Sequence, residues 1–257
     1  MRRRLRAHWL GRRAYGPVHE RMAALQSARQ RGEATDSVLF VEHEPVVTLG
    51  RGASATNVLV PAAALAARGV DLVDTGRGGD VTLHAPGQLV CYPIVSLAPD
   101  RQDVRRYVGD LTETMRRLAA RYGVQGGPVP ELIGLWVDAA DPTRWDGWQQ
   151  AKRPAKLGAV GVRISRWVTM HGFAFNLSTD LGLYGLIVPC GISAHGVTSV
   201  EALSGRRVAV RDAVAPALEE LCSVLDAECD ELIDESDHEP RSPGSHGDHD
   251  RGSPARG

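Results

Sequence analysis

The chain has 257 residues, 43% of them hydrophobic, and a formal net charge of -1 at pH 7. Its length and composition predict a globular protein built from one large domain, or from a large domain and a small one. Because the charge is near neutral, no overall field would attract the protein to nucleic acid or to an anionic membrane, and neither is expected as a partner.

The N-terminus and the cysteines predict a cytoplasmic protein. Six arginines fall within the first thirteen residues, but no apolar segment follows them, so a cleaved presequence is not expected. No uninterrupted apolar stretch approaches the length needed to cross a bilayer. The four cysteines, with no secretory leader, are predicted to be free thiols in a reducing compartment.

The first half of the chain predicts one helix followed by short strands. Residues 17–31 carry apolar side chains at helical spacing, with Pro17 suited to the first turn. Strand-like runs follow at residues 37–41, 45–50 and 89–95. Pro93, inside the last of these runs, predicts an edge strand or a bulge, because proline cannot donate to a β-ladder.

The next elements are a helix, a strand and a long loop. Helical periodicity returns at residues 103–122, and residues 132–137 predict a strand. Residues 138–154 contain proline, glycine and charged residues without periodicity, so a loop is predicted there.

A strand hairpin and a last helix complete the predicted elements. Residues 156–164 and 167–177 predict paired strands joined by a turn at Ser165 and Arg166. A final helix is predicted from about residue 212 to residue 228.

Three segments carry residues that could do chemistry, and the first is RGGDVTLHAPGQ at residues 77–88. Gly78 and Gly79 let the backbone approach a ligand, and successive N–H groups there can hold a phosphate, carboxylate or carbonyl oxygen. Arg77 and His84 add polar side chains on either side. The two glycines alone would favour a tight turn, but the density of polar residues around them favours a binding site.

The second segment contains Lys156. Only two of the 30 basic residues, Lys152 and Lys156, are lysines. Arginine stays protonated in proteins whereas lysine can lose its proton, so a lysine in this background is a candidate for proton transfer. Lys156 begins the apolar run KLGAVGV, but for an isolated lysine the preferred interpretation is a side chain that extends into solvent from the end of a strand.

The third segment contains Cys190, between a proline and a glycine. Buried cysteines are usually inert, and we interpret Cys91 in a strand, and Cys222 and Cys229 on one face of the last helix, in this way. A reactive cysteine needs a partner that stabilises the thiolate, because an unperturbed thiol, with a pKa of about 8.5, is mostly protonated at pH 7. The candidate partners are His171, His195 and Lys156.

Together these segments resemble one family, the lipoyl(octanoyl) transferases, which are similar to the biotin and lipoate ligases. The motifs that carry the resemblance lie within residues 9–229 and are WLGRRAY (9–15), EHEPVVTLGR (42–51), RGGDVTLHAPGQ (77–88), KLGAVGVRI (156–164), WVTMHGFAFNL (167–177), IVPCGI (187–192) and VTS (197–199). The chain departs from the family pattern at Leu83, usually an aromatic residue, at Ala85, usually glycine, and at Glu44, usually proline. The loop at 138–154 is also longer than is typical.

The resemblance implies an α/β fold with a mixed β-sheet flanked by helices, like that of the biotin and lipoate ligases. It implies a catalytic core at residues 1–180 and a small C-terminal subdomain at 181–235 that carries the nucleophile loop. Residues 236–257 contain no apolar residue larger than alanine and are predicted to form a disordered tail. The histidines of this tail are too weak a signal to predict a metal site.

The resemblance also implies residue roles. Cys190 would be the acyl-thioester nucleophile and Lys156 its activating base, while His171 would be a structural or pocket residue. The residues expected to surround the acyl chain and the thioester are Arg77, Gly78, Gly79, Asp80, Val81, Thr82, Leu83, His84, Ala159, Val160, Gly161, Gly172, Phe173 and Ala174. The glycines at 158, 161 and 172 either make room for the chain or relieve strand packing, and the sequence leaves both interpretations open.

The implied reaction transfers an octanoyl group from octanoyl-acyl carrier protein to a lysine of a lipoyl domain, in an E2 subunit or in an H-type protein of glycine cleavage. No cofactor is expected, because the conversion of a thioester to an amide runs downhill. Two alternatives remain open. An ATP-dependent lipoate or biotin ligase could use the same glycine loop and lysine, although it would not need Cys190. A non-catalytic protein that binds acyl carrier protein or a lipoyl domain would fit the departures at Leu83 and Ala85.

Overall fold

The computed structural model describes residues 3–188 and 195–237, which form a mixed α/β fold with two sheets. In chain order the elements are β1 (Arg3–Arg13), α1 (Tyr15–Gln30), β2 (Asp36–His43), β3 (Val46–Leu49), α2 (Ala62–Ala66), β4 (Asp71–Asp74), β5 (Val81–His84), β6 (Gln88–Ile94), α3 (Val104–Arg121), β7 (Gly126–Val129), β8 (Leu132–Asp138), β9 (Pro154–Ser165), β10 (Val168–Asn176), β11 (Gly196–Val197), α4 (Val200–Ser204), α5 (Val210–Leu225) and β12 (Ala227–Asp234). Short 3-10 helices lie at Ala55–Asn57, Trp148–Gln150 and Leu181–Leu186.

The main sheet has nine strands and the smaller sheet has three. The main sheet has the order β12-β1-β2-β6-β10-β9-β8-β7, and β11 also pairs with β9. The smaller sheet has the order β4-β3-β5. Strand β1 runs parallel to β2 and β12, whereas β6 to β10 pair in antiparallel fashion, so the expected mixed sheet is confirmed.

The main sheet has a hydrophobic core on each of its faces. On strand β2, Val38 and Phe40 pack with α3 and α5, whereas Leu39 and Val41 pack with α1 on the opposite face. This is the alternation that an extended strand imposes when both of its faces are covered. Helix α3 begins at the predicted place because the side chain of Asp103 accepts hydrogen bonds from the first backbone N–H groups of the helix.

The position of Pro93 differs from the sequence prediction. Strand β6 is interior, between β2 and β10, so the prediction of an edge strand is wrong. Pairing of β6 with β10 ends at Cys91, so the missing N–H of Pro93 leaves no gap in that ladder. The backbone irregularity lies instead on the neighbouring strand β10, where His171 has a φ of 62°.

The predicted hairpin of β9 and β10 is confirmed, but its turn is one residue later than predicted. Ser165 pairs with Val168, so the turn residues are Arg166 and Trp167. Their φ values of 47° and 60° fit a two-residue hairpin turn with both residues in the left-handed region.

The end of the described chain also differs from the prediction. The last helix ends at Leu225, and the chain continues as β12, which pairs in parallel with β1. Cys222 and Cys229 therefore do not share a helix face, because Cys229 lies in β12.

Helix α5 and strand β12 join the core and the sheet of the preceding residues, and the division of the chain at residue 180 stays a prediction. Residues 238–257 of the predicted tail lie outside the described residues. No helix in the described part of the chain is long and apolar enough to cross a membrane.

Candidate active site

A pocket lies between the main sheet and the smaller sheet. It encloses about 490 Å³ of empty space, part of it open to solvent. The residues that line it are Tyr15, Arg77, Gly79, Asp80, Thr82, His84, Tyr92, Ala159, Val160, Gly161, His171, Gly172, Phe173 and Ala174. Most of the predicted binding residues are among them, and the exceptions are Gly78, Val81 and Leu83. The fold thus brings the three motifs with predicted binding residues to one pocket, together with Tyr15 of a fourth motif, while their contact with an acyl chain stays a prediction.

Strand alternation explains which residues of β5 face the pocket. Thr82 and His84 line it, whereas Val81 and Leu83 point the other way, into a small core that covers the three-stranded sheet. Ala85 packs in the same small core. Leu83 and Ala85 therefore fill this core rather than the pocket wall, and neither departure from the family pattern changes the lining.

The Gly-Gly loop is fixed between β3 and β9. The backbone N–H of Gly78 donates to the carbonyl oxygen of Val162 at 2.9 Å. The Arg77 guanidinium donates to the carbonyl oxygen of Thr48 at 2.7 Å and to the Thr48 hydroxyl at 3.1 Å. Gly79 has a φ of 91°, a conformation that favours glycine. The loop is therefore a tight turn and part of the pocket wall at the same time.

The glycines of β9 and β10 serve strand packing. A Cβ at Gly158 would lie 2.4 Å from Sδ of Met115, and one at Gly172 would lie 2.2 Å from the carbonyl oxygen of Cys91. A Cβ at Gly161 would lie 3.2 Å from Cδ of Arg77. Protein atoms already occupy the space at Gly158 and Gly172, which supports the strand-packing interpretation, whereas Gly161 and Gly172 also line the pocket.

A cluster of six imidazole and phenol rings lies at the pocket, and four of them, Tyr15, His84, Tyr92 and His171, line it. Neighbouring rings have centroids 5.3–6.4 Å apart and belong to Tyr15, His19, His43, His84, Tyr92 and His171. Burial lowers the pKa of His43 to about 4 and the pKa values of His84 and His171 to about 3. These three imidazoles are therefore neutral at pH 7.

Lys156 lies near the N-terminal end of β9 and does not line this pocket. It is only 6% exposed, so the alternative of an extended side chain in solvent is wrong. Its Nζ lies 4.9 Å from the ring centroid of Trp136, which donates from Nε1 to the carbonyl oxygen of Leu132. Trp148, from the long loop, and His195 pack edge-on against Trp136, at centroid distances of 5.3 and 5.9 Å.

The predicted nucleophile Cys190 lies within residues 189–194, outside the described residues. Before this segment, the N–H of Val188 donates to the carbonyl oxygen of Asn57 at 2.8 Å. After it, Val197 pairs with Lys156, and the N–H of Thr198 donates to the Lys156 carbonyl oxygen at 3.0 Å. The chain that follows the segment therefore returns directly beside Lys156.

Two of the three candidate partners of Cys190 lie near the chain that follows the Cys190 segment, and the third does not. Lys156 and His195 both contact Trp136 next to this returning chain, whereas His171 lies opposite Val162 near the other end of β9. Burial raises the pKa of Cys91 well above its usual range and that of Cys222 to about 11, which supports their interpretation as unreactive thiols.

The sequence did not single out the aromatic residues around these groups. Tyr15 and His43 lie inside motifs that carry the resemblance, but neither was predicted to lie at the site. No sequence pattern predicted the contacts of Trp136 and Trp148, because these contacts depend on how β8 and the long loop pack against β9.

The fold is shared with solved structures of lipoate protein ligases. A bi-partite lipoate protein ligase from Thermoplasma acidophilum, studied with its E2 lipoyl domain, matches with a TM-score of 0.66 and 15% identity, over 90% of this chain and 89% of that one. Lipoate-protein ligase A bound with ATP matches with a TM-score of 0.65 and 16% identity, over 92% of this chain and 91% of that one. These likenesses define the class: an enzyme fold of the biotin/lipoate ligase type, as the sequence predicted.

Sequence comparisons define the family. Residues 18–222 match the family described as the lipoyl protein ligase A/B catalytic domain. The chain is 42% identical over 232 residues to an octanoyltransferase of Chloroflexus aurantiacus, which covers 90% of this chain and 95% of the relative. It is 41% identical over 219 residues to an octanoyltransferase of Myxococcus xanthus, which covers 85% of this chain and 59% of that relative. The chain therefore belongs to the lipoyl protein ligase A/B family, and within it to the octanoyltransferases, acyltransferases that act in protein lipoylation.

Proposed function

We propose that the enzyme transfers an octanoyl group from octanoyl-acyl carrier protein to the target lysine of a lipoyl domain through a thioester on Cys190. Lys156 acts as the acid and base of both half-reactions. The observation that carries the proposal is the burial of Lys156 against Trp136, directly beside the chain that follows the Cys190 segment.

In the first half-reaction the Cys190 thiolate attacks the carbonyl carbon of the octanoyl thioester. An ammonium on Lys156 stabilises the thiolate, since opposite charges attract more strongly in a partly dry site than in water. A bond forms between Sγ of Cys190 and the carbonyl carbon, and the bond to the pantetheine sulfur breaks. The departing thiolate takes a proton from Lys156, which is left neutral.

In the second half-reaction the lysine amine of the lipoyl domain attacks the thioester on Cys190. Neutral Lys156 accepts a proton from this amine, and the amide forms as the Cys190 thiolate departs. Both enzyme groups return to their starting state, and no nucleotide is consumed. A covalent intermediate of this kind gives ping-pong kinetics.

The pocket supports an acyl substrate of limited length. Ala159, Val160 and Phe173 provide apolar lining next to the glycine loop. Burial of six methylenes, at about 0.8 kcal/mol each, would contribute roughly 5 kcal/mol and favour octanoyl over much shorter chains.

The proposal also names the finer partners. The relatives act in lipoylation, and we assign octanoyl-acyl carrier protein as the donor and the lipoyl domains of E2 subunits or of an H-type protein as acceptors. The reaction is assigned to the cytoplasm, a reducing compartment in which a catalytic thiol stays free.

Intact-mass analysis after incubation with octanoyl-acyl carrier protein tests the proposal. We expect one thiol-reversible octanoyl adduct on the wild type, none on Cys190→Ser, and little or none on Lys156→Ala. Lys152→Ala and Cys229→Ser are the matched controls, because they change the other lysine and a thiol outside the site, and both should acquire the adduct. A requirement for ATP, or a thiol-reversible adduct that persists on Cys190→Ser, would contradict the mechanism.

A further inference from the structure

A buried polar atom in the pocket has no partner within the described part of the protein. His171 lines the pocket and is 2% exposed, and its Nε2 makes no hydrogen bond there. The Nε2 of His19, on a ring whose centroid is 5.8 Å away, also makes none. Because buried polar groups are almost always paired, two unpaired nitrogens in one place require an explanation.

The chemistry of His171 determines what kind of group would satisfy it. Burial lowers the pKa of His171 to about 3, so the ring is neutral at pH 7. The ring also forms a hydrogen bond with the backbone of Thr75, and Nδ1 is the nitrogen left for this bond. A neutral imidazole that donates from Nδ1 has a lone pair on Nε2, which therefore needs a donor.

Neighbouring protein hydroxyls do not supply this donor. The Tyr92 hydroxyl lies 2.9 Å from Nε2 of His43, and the Tyr15 side chain forms its hydrogen bond with Thr75. The Arg77 guanidinium donates to Thr48. The unpaired nitrogen therefore points to a donor that arrives with a ligand.

The place of His171 relative to Lys156 identifies which end of a ligand it would meet. His171 pairs with Val162, six residues after Lys156 on β9, which corresponds to roughly 20 Å of strand. An octanoyl chain, with carbon–carbon bonds of about 1.5 Å, extends roughly 9 Å. The pocket residues Ala159, Val160 and Gly161 lie on β9 between Lys156 and Val162. An acyl chain that starts near Lys156 and enters this pocket therefore extends towards His171.

We propose that the far end of the pocket is a polar subsite, in which Nε2 of His171 accepts a hydrogen bond from a hydroxyl at the distal end of an acyl chain. The enzyme then transfers ω-hydroxyacyl groups as well as octanoyl. This inference rests on the proposed function, because it uses the same pocket for the acyl chain. The bonds made and broken at the carboxyl end are the same for both chains.

Two acyl groups of equal length test the subsite in the wild-type enzyme. Nonanoyl and 8-hydroxyoctanoyl groups, each loaded on acyl carrier protein, differ only by a terminal methyl or hydroxyl. A purely apolar end would disfavour the hydroxyl by about 100-fold in kcat/KM. We expect the two values to lie within about tenfold of each other, or the hydroxyl to be preferred. A larger preference for nonanoyl would overturn the proposal.

A matched pair of variants assigns the effect to His171. His171→Leu removes the acceptor, and His171→Gln keeps a polar atom on a side chain of similar size in the same left-handed backbone conformation. We expect the ratio of kcat/KM for 8-hydroxyoctanoyl over nonanoyl to fall at least tenfold in His171→Leu, and less in His171→Gln. A merely structural role would lower both rates and leave this ratio unchanged, which would contradict the assignment.

Folding and the underlying reaction are controlled separately. Melting temperatures report whether the variants fold, and if neither folds the comparison of chains in the wild type decides alone. If plain octanoyl is not transferred, the proposed function fails. If octanoyl is transferred and 8-hydroxyoctanoyl is rejected, only the subsite fails.

Discussion

The two ends of β9 place different chemistry on one strand. At its first end, Lys156 lies over the π face of Trp136, a surface that attracts a positive charge. Towards its other end, Val162 pairs with His171, one of several imidazoles that burial keeps neutral. The lysine end of β9, at Lys156, thus provides a group suited to transferring protons and stabilising a thiolate. The imidazole end, at Val162 and His171, provides uncharged rings suited to ligand binding without proton transfer.

The two side chains are buried to a similar depth but have different surroundings. Lys156 and His171 are both almost fully buried, with 6% and 2% of their surface exposed. Lys156 contacts an aromatic face, while His171 is surrounded by other imidazoles and by Arg77 and Arg163, whose charges also lower its pKa. Because roughly 20 Å of strand separates the two ends, each can be altered without touching the other.

The largest expected effect is at the lysine end. Lys156→Arg keeps a cation that can lie on Trp136 but cannot give up its proton, so octanoyl transfer to a lipoyl domain should fall about 10²- to 10⁴-fold. Lys152→Arg, at the exposed second lysine, is the matched control and should keep its rate. If Lys156→Arg retains more than a tenth of the wild-type rate, the lysine end acts through charge alone.

The imidazole end makes stability depend on pH. The folded-state pKa values of His43, His84 and His171, about 4, 3 and 3, lie below the usual value of 6.5. Between pH 7 and pH 5 the unfolded chain therefore binds protons that the folded chain does not, and stability falls as pH falls. Each of these histidines should lower the free energy of unfolding by about 2 kcal/mol over this interval.

A single replacement at the imidazole end isolates this effect. His43 does not line the pocket, and His43→Gln removes one of the three titrating groups. Urea unfolding at pH 7 and pH 5 should show a drop in stability that is smaller than in the wild type by about 2 kcal/mol. Comparing drops rather than absolute values removes the contributions of His8 and His19, whose pKa values burial also lowers. An identical drop in both proteins would show that folding does not lower the pKa of His43.

Close backbone packing beside His171 should have a smaller effect. Gly172→Ala would place a Cβ 2.2 Å from the carbonyl oxygen of Cys91, and we expect it to lower the free energy of unfolding by about 1–3 kcal/mol. Gly109→Ala is the control, because nothing lies within 4 Å of the added Cβ on helix α3, and it should raise stability by about 0.5–1 kcal/mol. Equal unfolding midpoints for the two variants would mean that β10 adjusts freely at this point.

The sequence predicted the parts of this site that lie within continuous motifs. Local periodicity predicted α1, α3 and the hairpin of β9 and β10 within a few residues, because each buries a regular stripe or face. The motif around the Gly-Gly loop predicted a pocket wall, although the alternation that turns Val81 and Leu83 away from it became visible only in the fold. The short strands β4, β7 and β11 have too few residues for any period to be detected.

Contacts between distant segments were not predictable from the sequence. Trp136 meets Lys156 because the pairing of β8 with β9 shifts register between Leu135 and Trp136, and no local pattern encodes such a shift. The ring cluster brings residues of α1, β2, β5, β6 and β10 together, so it depends on the whole sheet order. Strand β12 was missed because its charged sequence, ECDELID, lacks the apolar alternation typical of a strand.

The smallest effect concerns the aromatic face itself. Trp136→Leu removes the π surface under the Lys156 amine, and a contact of about 0.5–2 kcal/mol corresponds to a fall of roughly 2- to 30-fold in transfer rate. Trp136→Phe keeps a weaker face and should lose less. Because the amine acts on the reacting atoms, the fall should appear in kcat more than in KM.

The neighbouring ring separates the aromatic face from general packing around it. Trp148→Leu removes the edge-on partner of Trp136 without removing the surface that faces the amine, so its kcat should stay closer to the wild type than that of Trp136→Leu. Melting temperatures of the three variants report the loss of packing, since a large ring leaves a cavity in each case. If kcat follows the melting temperature rather than the presence of a ring at position 136, the aromatic face does not contribute to catalysis by Lys156. The contrast between the two ends of β9 would then rest on Lys156 alone.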